Sequence, residues 1–275
     1  MRLHDYLGRL QVDTATPATF ETLRRLHAAH RETFLFENLA IQTGGAISVE
    51  LPDIENKFID QHRGGYCFEH NTLFAAALRQ AGFAVVALLG RVRRGPPERW
   101  ARTHMVLRVT CSGDGSEPYL ADVGFGAVGL IEPIPLRDGA TATQRGLTYT
   151  LRRDGRLWVL SMRDVSQAMD LYEFAEEPQT TGDIIVANHY TSTHPESMFR
   201  KTLTIQRVRG NDRVILRNET LTRWDNGRMS EETIDRASLR DVARQLFDVE
   251  LPRGQFVYED DTKDTKGSKD TKSTG

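Results

Sequence analysis

Arg63-Gly64-Gly65-Tyr66-Cys67-Phe68-Glu69-His70-Asn71 places one of only two cysteines directly behind a pair of glycines. Glycines let the backbone turn sharply, and apolar residues at helical spacing follow Cys67, so a helix is predicted to begin here. The amides of a first helical turn and the positive end of the helix dipole favour a thiolate over a thiol. Cys67 is therefore a candidate nucleophile at a helix start.

The first 82 residues are predicted to be helical. Apolar side chains recur at helical spacing over residues 17–30, 52–59 and 67–80. Gly82 suits the C-terminal cap of the last of these helices. We expect a helical region that carries Cys67.

From Phe83 the pattern changes to short runs of β-type residues. They cover residues 83–92, 104–109, 119–123, 147–153 and 157–162. Asp154-Gly155, between the last two runs, is a strong hairpin signal. This part of the chain is predicted to form a sheet or a barrel.

The last third of the chain mixes the two patterns. Strands are predicted over residues 203–208, 214–216 and 220–224. Ser238, with Asp241 three residues on, is predicted to cap a helix that runs through Phe247. We expect a small α/β unit here. Residues 259–275 contain no apolar side chain and are predicted to be disordered.

Composition excludes several function classes. With 275 residues, 39% of them hydrophobic, the chain is long enough for a substantial core in one large domain or two to three small ones. A formal net charge of −2 provides no basic field for nucleic acid or an anionic membrane. The charged first residues and the absence of an apolar run of roughly 20 residues predict neither a signal peptide nor a membrane span. We expect a cytoplasmic protein that acts on small metabolites.

Cysteine catalysis needs a base that takes the thiol proton and a carboxylate or amide that orients the base. His104 opens a predicted strand, and Asp122 lies near the end of the next one. His70, one turn along the same helix as Cys67, is the second candidate base. The order Cys67, His104, Asp122 is typical of papain-like cysteine transferases and hydrolases. On residue type alone, a buried cysteine, a satisfied histidine and a turn aspartate remain open alternatives.

Other features carry less specific signals. Gly124-Phe125-Gly126-Ala127-Val128-Gly129 fits a dinucleotide fingerprint, but the prolines of Ile131-Glu132-Pro133-Ile134-Pro135 cannot continue the helix that this fingerprint requires. These glycines can instead let backbone amides approach a ligand.

Cys111 is assigned a structural role, and no motif indicates a bound metal. A run of arginines predicts a solvated loop, or alternatively a contact with the phosphates of a nucleotide-bearing substrate: Arg91, Arg93, Arg94, Arg99 and Arg102.

Together the motifs resemble the arylamine N-acetyltransferase family. Residues 63–71 resemble its cysteine signature, and Thr103-His104 resembles its histidine strand. Leu35 stands where many members carry proline, which bears on the shape of that loop and hence on acceptor choice. The similarity covers roughly residues 1–250 in the family's order, so it is far more specific than any single motif. The other matching segments are Phe36-Glu37-Asn38-Leu39, Asp122-Val123-Gly124-Phe125-Gly126 and residues 188–199.

The resemblance implies an α+β, three-domain, papain-like cysteine transferase fold. Residues 1–82 would be an N-terminal helical bundle, residues 83–187 a central β-barrel and residues 188–258 a C-terminal α/β lid. Cys67 would be the acyl acceptor, His104 its base and Asp122 the residue that orients the base. The resemblance also assigns Phe36, Val92, Phe125 and Phe199 to the acceptor pocket, and Thr103, Gly124 and Gly126 to the approach of coenzyme A.

The implied function is N-acetylation of arylamines and arylhydrazines, as in xenobiotic metabolism. A Cys67 thiolate paired with protonated His104 would attack acetyl-coenzyme A, and the acetyl-cysteine would pass its acetyl group to the amine with ping-pong kinetics. Acetyl-coenzyme A would be a co-substrate, with no tightly bound cofactor, and the protein would be a monomer or a homodimer. An amide synthase that acts on an amino-aromatic acyl substrate and a cysteine hydrolase use the same three residues. A coenzyme A-binding protein with an incidental Cys67 is the non-enzymatic alternative.

Overall fold

The computed structural model describes residues 1–112, 117–165, 167–225 and 228–258. The tail that is predicted to be disordered, residues 259–275, lies outside the described residues. Along the described chain, helices come first, a long antiparallel sheet follows, and a second sheet with helices comes last. None of the helices in the described ranges is long and apolar enough to cross a membrane.

The helical region ends with the helix that begins at Cys67. It contains α1 (Leu3–Leu10), α2 (Phe20–Thr33), α3 (Leu39–Gln42), α4 (Leu51–Glu55), a π-helical turn (Asn56–Asp60) and α5 (Cys67–Gln80). The three predicted helices are confirmed, and α5 covers the predicted range. α2 begins at Phe20 because Thr19 Oγ1 accepts a hydrogen bond from the Thr22 N–H. Leu23 and Phe74 are fully buried between these helices, and burial of one such side chain stabilises the fold by roughly 1.5–3 kcal/mol.

The second region is a nearly closed antiparallel barrel. Its strands are β2 (Ala84–Val92), β3 (His104–Thr110), β4 (Tyr119–Ala121), β5 (Ile134–Pro135), β6 (Ala140–Gln144), β7 (Leu147–Asp154), β8 (Leu157–Arg163) and β9 (Ala168–Phe174). Hydrogen-bonded neighbours follow the order β5-β4-β3-β2-β9-β8-β7-β6, and β5 and β6, at the two ends of this order, lie close together. The predicted Asp154-Gly155 hairpin is confirmed, because β7 and β8 pair as far as Asp154 and Leu157 and Gly155 has a φ of 60°. β2 and β3 pack against α5.

The third region is built on a second antiparallel sheet. Its elements are β1 (Phe36–Glu37), α6 (Thr181–Thr193), α7 (Met198–Lys201), β10 (Thr204–Arg209), β11 (Asp212–Arg217), β12 (Thr220–Asp225), β13 (Arg228–Thr233) and α8 (Leu239–Phe247). The strand order along the described residues is β1-β10-β11-β12-β13. Leu239, Ala243 and Phe247 of α8 are buried in one cluster with Leu203 and Ile205, so this helix covers one face of the sheet.

The start of α8 differs from the sequence-based expectation. Ser238 makes no side-chain cap to α8, because it already has helical backbone angles at the end of a 3-10 turn (Arg236–Ser238). Asp235 caps that turn instead, by accepting the Ala237 N–H at 3.1 Å.

β1 pairs with β10 although it lies within the first 82 residues, and α6 runs across the expected boundary at residue 187. The division of the chain into three domains at these residues stays a prediction.

Candidate active site

Gly64 and Gly65 make room for the start of α5. A side-chain carbon at Gly64 would overlap the Leu35 carbonyl oxygen, and one at Gly65 would overlap the Glu69 carboxylate. Neither of these two glycines has a positive φ. Their role is therefore close packing of the chain before Cys67 rather than a left-handed turn.

Charged side chains close the first turn of α5. Glu69 Oε2 accepts the Tyr66 N–H at 3.0 Å, and Lys57 Nζ lies 2.7 Å from Glu69 Oε1. The Glu69 side chain is only 3% exposed, and removing one partner of such a buried ion pair is strongly destabilising. These contacts hold Cys67 as the first residue of α5, where it is itself buried.

His104 and Asp122 meet where two neighbouring strands bring them together. His104 is the first residue of β3, and Asp122 directly follows β4, which pairs with β3. His104 Nε2–H donates to Asp122 Oδ2 at 2.8 Å, which leaves Nδ1 as the acceptor of the neutral ring. The other carboxylate oxygen, Oδ1, accepts from Asn71 Nδ2 at 3.0 Å and from the Gly124 N–H at 2.9 Å.

The Asp122 carboxylate is charged although it is fully buried. Burial on its own raises the pKa of Asp122, but the His104 imidazole and the donors of Asn71 and Gly124 outweigh burial and lower the pKa to about 2. The carboxylate is therefore ionised at neutral pH. A charge at this position stabilises a protonated imidazole.

Asn71 connects three elements at this point. It lies one turn after Cys67 on α5, and its Nδ2 also donates to the Met105 carbonyl oxygen in β3 at 2.8 Å. Its Oδ1 accepts the Val123 N–H at 3.2 Å. Asn71 is the last residue of the stretch 63–71 but is assigned no role from the sequence, although its position four residues after Cys67, on the same face of a helix, is a signal that could identify it.

The surroundings of the Cys67 thiol disfavour the thiolate. Burial raises the pKa of the Cys67 thiol, and the backbone N–H groups of Met105 and Phe68 oppose that change only in part. The Sγ donates to the Thr103 carbonyl oxygen at 3.6 Å. Burial thus opposes the effect of the helix dipole, which favours a thiolate at a helix start.

Aromatic rings surround His104 on the barrel side. The ring centroid of Phe125 lies 5.0 Å from that of His104, and the Tyr172 centroid lies 4.8 Å from His104 and 5.1 Å from Phe125. Val92 pairs with Tyr172 across β2 and β9. Tyr172 is fully buried, and nothing in the pattern of β9 distinguishes it from an ordinary core residue.

Phe36 and Phe199 form a second aromatic cluster with Tyr66. Their ring centroids are 6.0 Å apart, and the Phe199 centroid lies 5.2 Å from that of Tyr66. Tyr66 directly precedes Cys67 in the chain. The four expected pocket residues therefore lie in two clusters, one beside His104 and one beside Tyr66.

Gly124 and Gly126 lie against different parts of the molecule. A side-chain carbon at Gly124 would come within 2.8 Å of Cys67 Cα and 2.7 Å of Asn71 Nδ2. Gly126 has a φ of +85°, and a side-chain carbon there would lie 2.6 Å from Gln206 Oε1 in β10. The chain continues from these glycines to β5 without a helix, so the dinucleotide interpretation is excluded.

Both ring nitrogens of His70 are occupied. Its Nδ1 pairs with His30 Nε2 at 2.8 Å, and its Nε2 pairs with the Leu35 carbonyl oxygen at 3.0 Å. Since the carbonyl can only accept, His70 Nε2 carries the hydrogen and Nδ1 is the acceptor. Burial lowers the pKa of His70 to about 3, so the ring is neutral at neutral pH. His70 is therefore not available as the base for Cys67.

Two arginines of the run before His104 have acidic partners within the protein. Arg93 contacts Asp170, and Arg102 Nη1 lies 3.0 Å from Glu177 Oε2. These contacts favour the interpretation of the run as a charged surface loop over that of a phosphate site.

The architecture is the three-domain, papain-like cysteine transferase fold. Its site combines a cysteine at a helix start, a histidine at a strand start and an aspartate that hydrogen-bonds the histidine. The family model described as N-acetyltransferase matches residues 19–256.

Similarity to known proteins with this fold identifies the family. An arylamine N-acetyltransferase of Escherichia coli (strain K12) is 34% identical over 249 residues, which cover 89% of this chain and 88% of that protein. The solved Mycobacterium smegmatis arylamine N-acetyltransferase superposes with a TM-score of 0.87 at 34% identity, over 94% of this chain and 97% of that one. The Mycobacterium marinum arylamine N-acetyltransferase, solved in complex with CoA, superposes with a TM-score of 0.85 at 32% identity, over 90% and 92%. The chain therefore belongs to the arylamine N-acetyltransferase family, a family of acyltransferases.

Proposed function

We propose that the protein acetylates aromatic amines and hydrazines with acetyl-coenzyme A, through an acetyl-cysteine on Cys67. The observation that carries this proposal is the 2.8 Å hydrogen bond from His104 to Asp122 beside a buried cysteine thiol. Such a pair provides the base and the orienting group that a thiol nucleophile requires. Relatives named as arylamine N-acetyltransferases, one of them solved with CoA, support the choice of acceptor and donor.

In the first half-reaction, Cys67 Sγ attacks the thioester carbonyl carbon of acetyl-coenzyme A. Because burial raises the pKa of the Cys67 thiol, the thiolate needs help to form, and His104 Nδ1 takes the proton as the new carbon–sulfur bond forms. The ionised Asp122 stabilises the resulting imidazolium. Coenzyme A then leaves, takes the proton back from His104, and acetyl-Cys67 remains.

Backbone amides beside the sulfur are assigned to the stabilisation of the tetrahedral intermediate. The N–H groups of Phe68 and Met105 interact with Cys67 Sγ in the resting state. The negative oxygen of the intermediate forms next to this sulfur and needs donors of this kind. One well-placed donor lowers such a barrier by roughly 3–4 kcal/mol.

In the second half-reaction, the aromatic amine attacks the acetyl carbon of acetyl-Cys67. His104 accepts the proton that the amine loses, and returns it to the leaving Cys67 sulfur. The product is an amide, and the enzyme is back in its starting state. Because coenzyme A leaves before the amine reacts, the kinetics are ping-pong.

The two aromatic clusters are assigned to the acceptor. Phe36 and Phe199 on one side and Phe125 with Val92 on the other suit a flat ring, since each offset or edge-to-face aromatic pair contributes about 0.5–1.5 kcal/mol. The backbone at Thr103, Gly124 and Gly126 is assigned to the approach of coenzyme A. A cytoplasmic location, a role in xenobiotic metabolism and a monomeric or dimeric state stay predictions.

The test is the intact mass of the protein after exposure to acetyl-coenzyme A without an amine. Wild type should gain one acetyl group, whereas Cys67→Ala should gain none, and Cys111→Ser, which changes the other cysteine, should behave as wild type. Added arylamine should remove the acetyl group and yield the acetylated amine. A wild-type protein that gains no acetyl group would overturn the proposal.

Further measurements on the same protein separate the alternatives that share these residues. A cysteine hydrolase would release acetate at the same rate with or without an amine. An amide synthase would accept a long carrier-bound acyl group in place of acetyl-coenzyme A. Retention of normal activity in His104→Ala would remove that residue from the mechanism.

A further inference from the structure

Helix α2 holds the chain segment that follows Asp122. This segment, residues 122–132, leads from β4 towards β5. His27 Nε2 accepts the Asp122 N–H at 3.0 Å, and His27 Nδ1 pairs with the Ile131 carbonyl oxygen at 2.8 Å. Because one ring nitrogen accepts from an amide and the other faces a carbonyl, the imidazole is neutral with its hydrogen on Nδ1. One side chain thus joins the two ends of the segment.

Arg31, one helical turn after His27 on the same face of α2, bonds three carbonyl groups within the segment. Its Nε donates to the Leu130 carbonyl oxygen at 3.1 Å, and its Nη1 donates to the Val123 carbonyl oxygen at 3.4 Å. Its Nη2 donates to the Gly126 carbonyl oxygen. The planar fork of a guanidinium makes several such bonds at once, which a lysine ammonium cannot do at these positions.

The guanidinium of Arg31 is buried and still charged. The residue is only 4% exposed. Burial lowers the pKa of Arg31 to about 10, and the negative charge of Asp122 opposes this change. A buried charge is costly unless hydrogen bonds and an opposite charge compensate it. Both compensations come from the segment that begins with Asp122.

We propose that His27 and Arg31 are positioning residues for acetyl transfer, which hold residues 122–131 so that the Asp122 carboxylate stays aligned with His104. The inference rests on the function proposed above. The backbone N–H of Asp122 is bonded by His27, while its carboxylate accepts from His104 and from Gly124 of the same segment. Without the His27 acceptor, a buried N–H loses its partner, and the segment moves to recover one. That movement carries the carboxylate away from His104.

Two substitutions of His27 separate positioning from simple stability. In His27→Asn, the amide nitrogen takes the place of Nδ1, so the donor to Ile131 remains and the acceptor for the Asp122 N–H is lost. In His27→Gln, the amide oxygen reaches the place of Nε2, so the acceptor for Asp122 remains and the donor to Ile131 is lost. Each variant loses one hydrogen bond of the same imidazole, and only His27→Asn loses the bond to Asp122.

The measured quantity is the single-turnover rate at which acetyl-coenzyme A acetylates Cys67, with the melting temperature of each variant recorded beside it. We expect His27→Asn to be about 10- to 100-fold slower than His27→Gln, because displacement of a catalytic group by about 1 Å has effects of this size. The melting temperatures of the two variants should be similar. Arg31→Lys should also acetylate Cys67 slowly, with an unchanged KM for acetyl-coenzyme A.

Arg24→Ala is the matched control. Arg24 lies on the same face of α2 and also reaches the segment, through an ion pair with Glu132 at 2.8 Å whose side chains are 39% and 34% exposed. Surface ion pairs of this kind contribute little. This variant should acetylate Cys67 at the wild-type rate.

Equal rates for His27→Asn and His27→Gln would overturn the inference. If His27→Asn does not fold, Arg31→Lys decides, and a wild-type rate in that variant would overturn the inference. A wild-type protein that forms no acetyl-Cys67 is a different result, which would overturn the proposed function on which the inference rests.

Discussion

The first turn of α5 and the segment over residues 122–132 both border Cys67, but they are built from different contacts. In the first turn, Tyr66 and Glu69 bond across three residues of chain, and Lys57 reaches Glu69 from twelve residues away. In the segment, His27 reaches Ile131 across 104 residues of sequence, and Asn71 reaches Asp122 across 51. Near neighbours therefore bond the helical turn that carries the nucleophile, whereas distant parts of the fold bond the segment that carries the aspartate. Changes to the segment should affect catalysis most.

Asp122→Asn should have the largest effect. The amide keeps the shape of the side chain but loses the charge that stabilises protonated His104, and it can hold the imidazole in the wrong tautomer. We expect kcat/KM for arylamine acetylation to fall by about 10³- to 10⁴-fold, as in other enzymes with an aspartate in this role. The matched control is Asp138→Asn, at an exposed carboxylate that accepts the Arg153 N–H at 2.7 Å. A loss of less than tenfold in Asp122→Asn would show that the aspartate is not the orienting group.

Acid should destabilise the segment through His27. Burial lowers the pKa of His27 from 6.5 to about 4, so between these pH values the unfolded chain binds a proton that the folded protein does not. Stability from the neutral ring is complete above pH 6.5 and is lost as the pH falls towards 4. The difference between the two pKa values corresponds to about 3 kcal/mol.

Urea unfolding at pH 7.5 and pH 4.5 measures this effect. The free energy of unfolding of wild type should fall between the two pH values by more than that of His27→Gln, which has no imidazole to titrate. His4→Gln, at an exposed histidine, should keep the wild-type dependence. An identical pH dependence in wild type and His27→Gln would rule out this role for the ring.

Substitution of one glycine in each region compares the two regions by the loss of unfolding free energy, which should be a smaller effect. Gly64→Ala places a carbon against the Leu35 carbonyl oxygen, and Gly124→Ala places one 2.8 Å from Cys67 Cα. Since backbone atoms cannot move aside easily, each change should lower the free energy of unfolding by about 1–3 kcal/mol. Gly8→Ala, in α1 with open space around it, should raise that energy by up to about 1 kcal/mol. Chemical denaturation checks all three, and a Gly124→Ala protein as stable as wild type would contradict the close contact.

The features that could be predicted from the sequence have local signals. The range of α5 follows from apolar spacing, and the hairpin at Asp154-Gly155 follows from turn chemistry. Cys67 is the first residue of α5, His104 is the first residue of β3, and Asp122 directly follows β4, so the helix and strand patterns place each of them at a boundary. Their proximity depends on the tertiary structure, and only the family resemblance predicted it.

The features that could not be predicted depend on distant partners or on burial. Ser238 has the residue type of a cap, but the preceding 3-10 turn already fixes its backbone. The raised pKa of the Cys67 thiol depends on how little water reaches the thiol, and no motif encodes that. His27 and Arg31 look like polar residues on an amphipathic helix until residues 122–132 pack against them.

The central claim is that the buried Cys67 thiol reacts because His104, oriented by Asp122, takes its proton. The most direct measurement is the rate of Cys67 alkylation by iodoacetamide as a function of pH, in wild type and His104→Ala, both with Cys111→Ser so that one thiol is read. Because burial raises the pKa of the Cys67 thiol, alkylation in His104→Ala should be slower at pH 7 by about 10²- to 10⁴-fold and should recover only at alkaline pH. Equal rates in the two proteins at pH 7 would contradict the account.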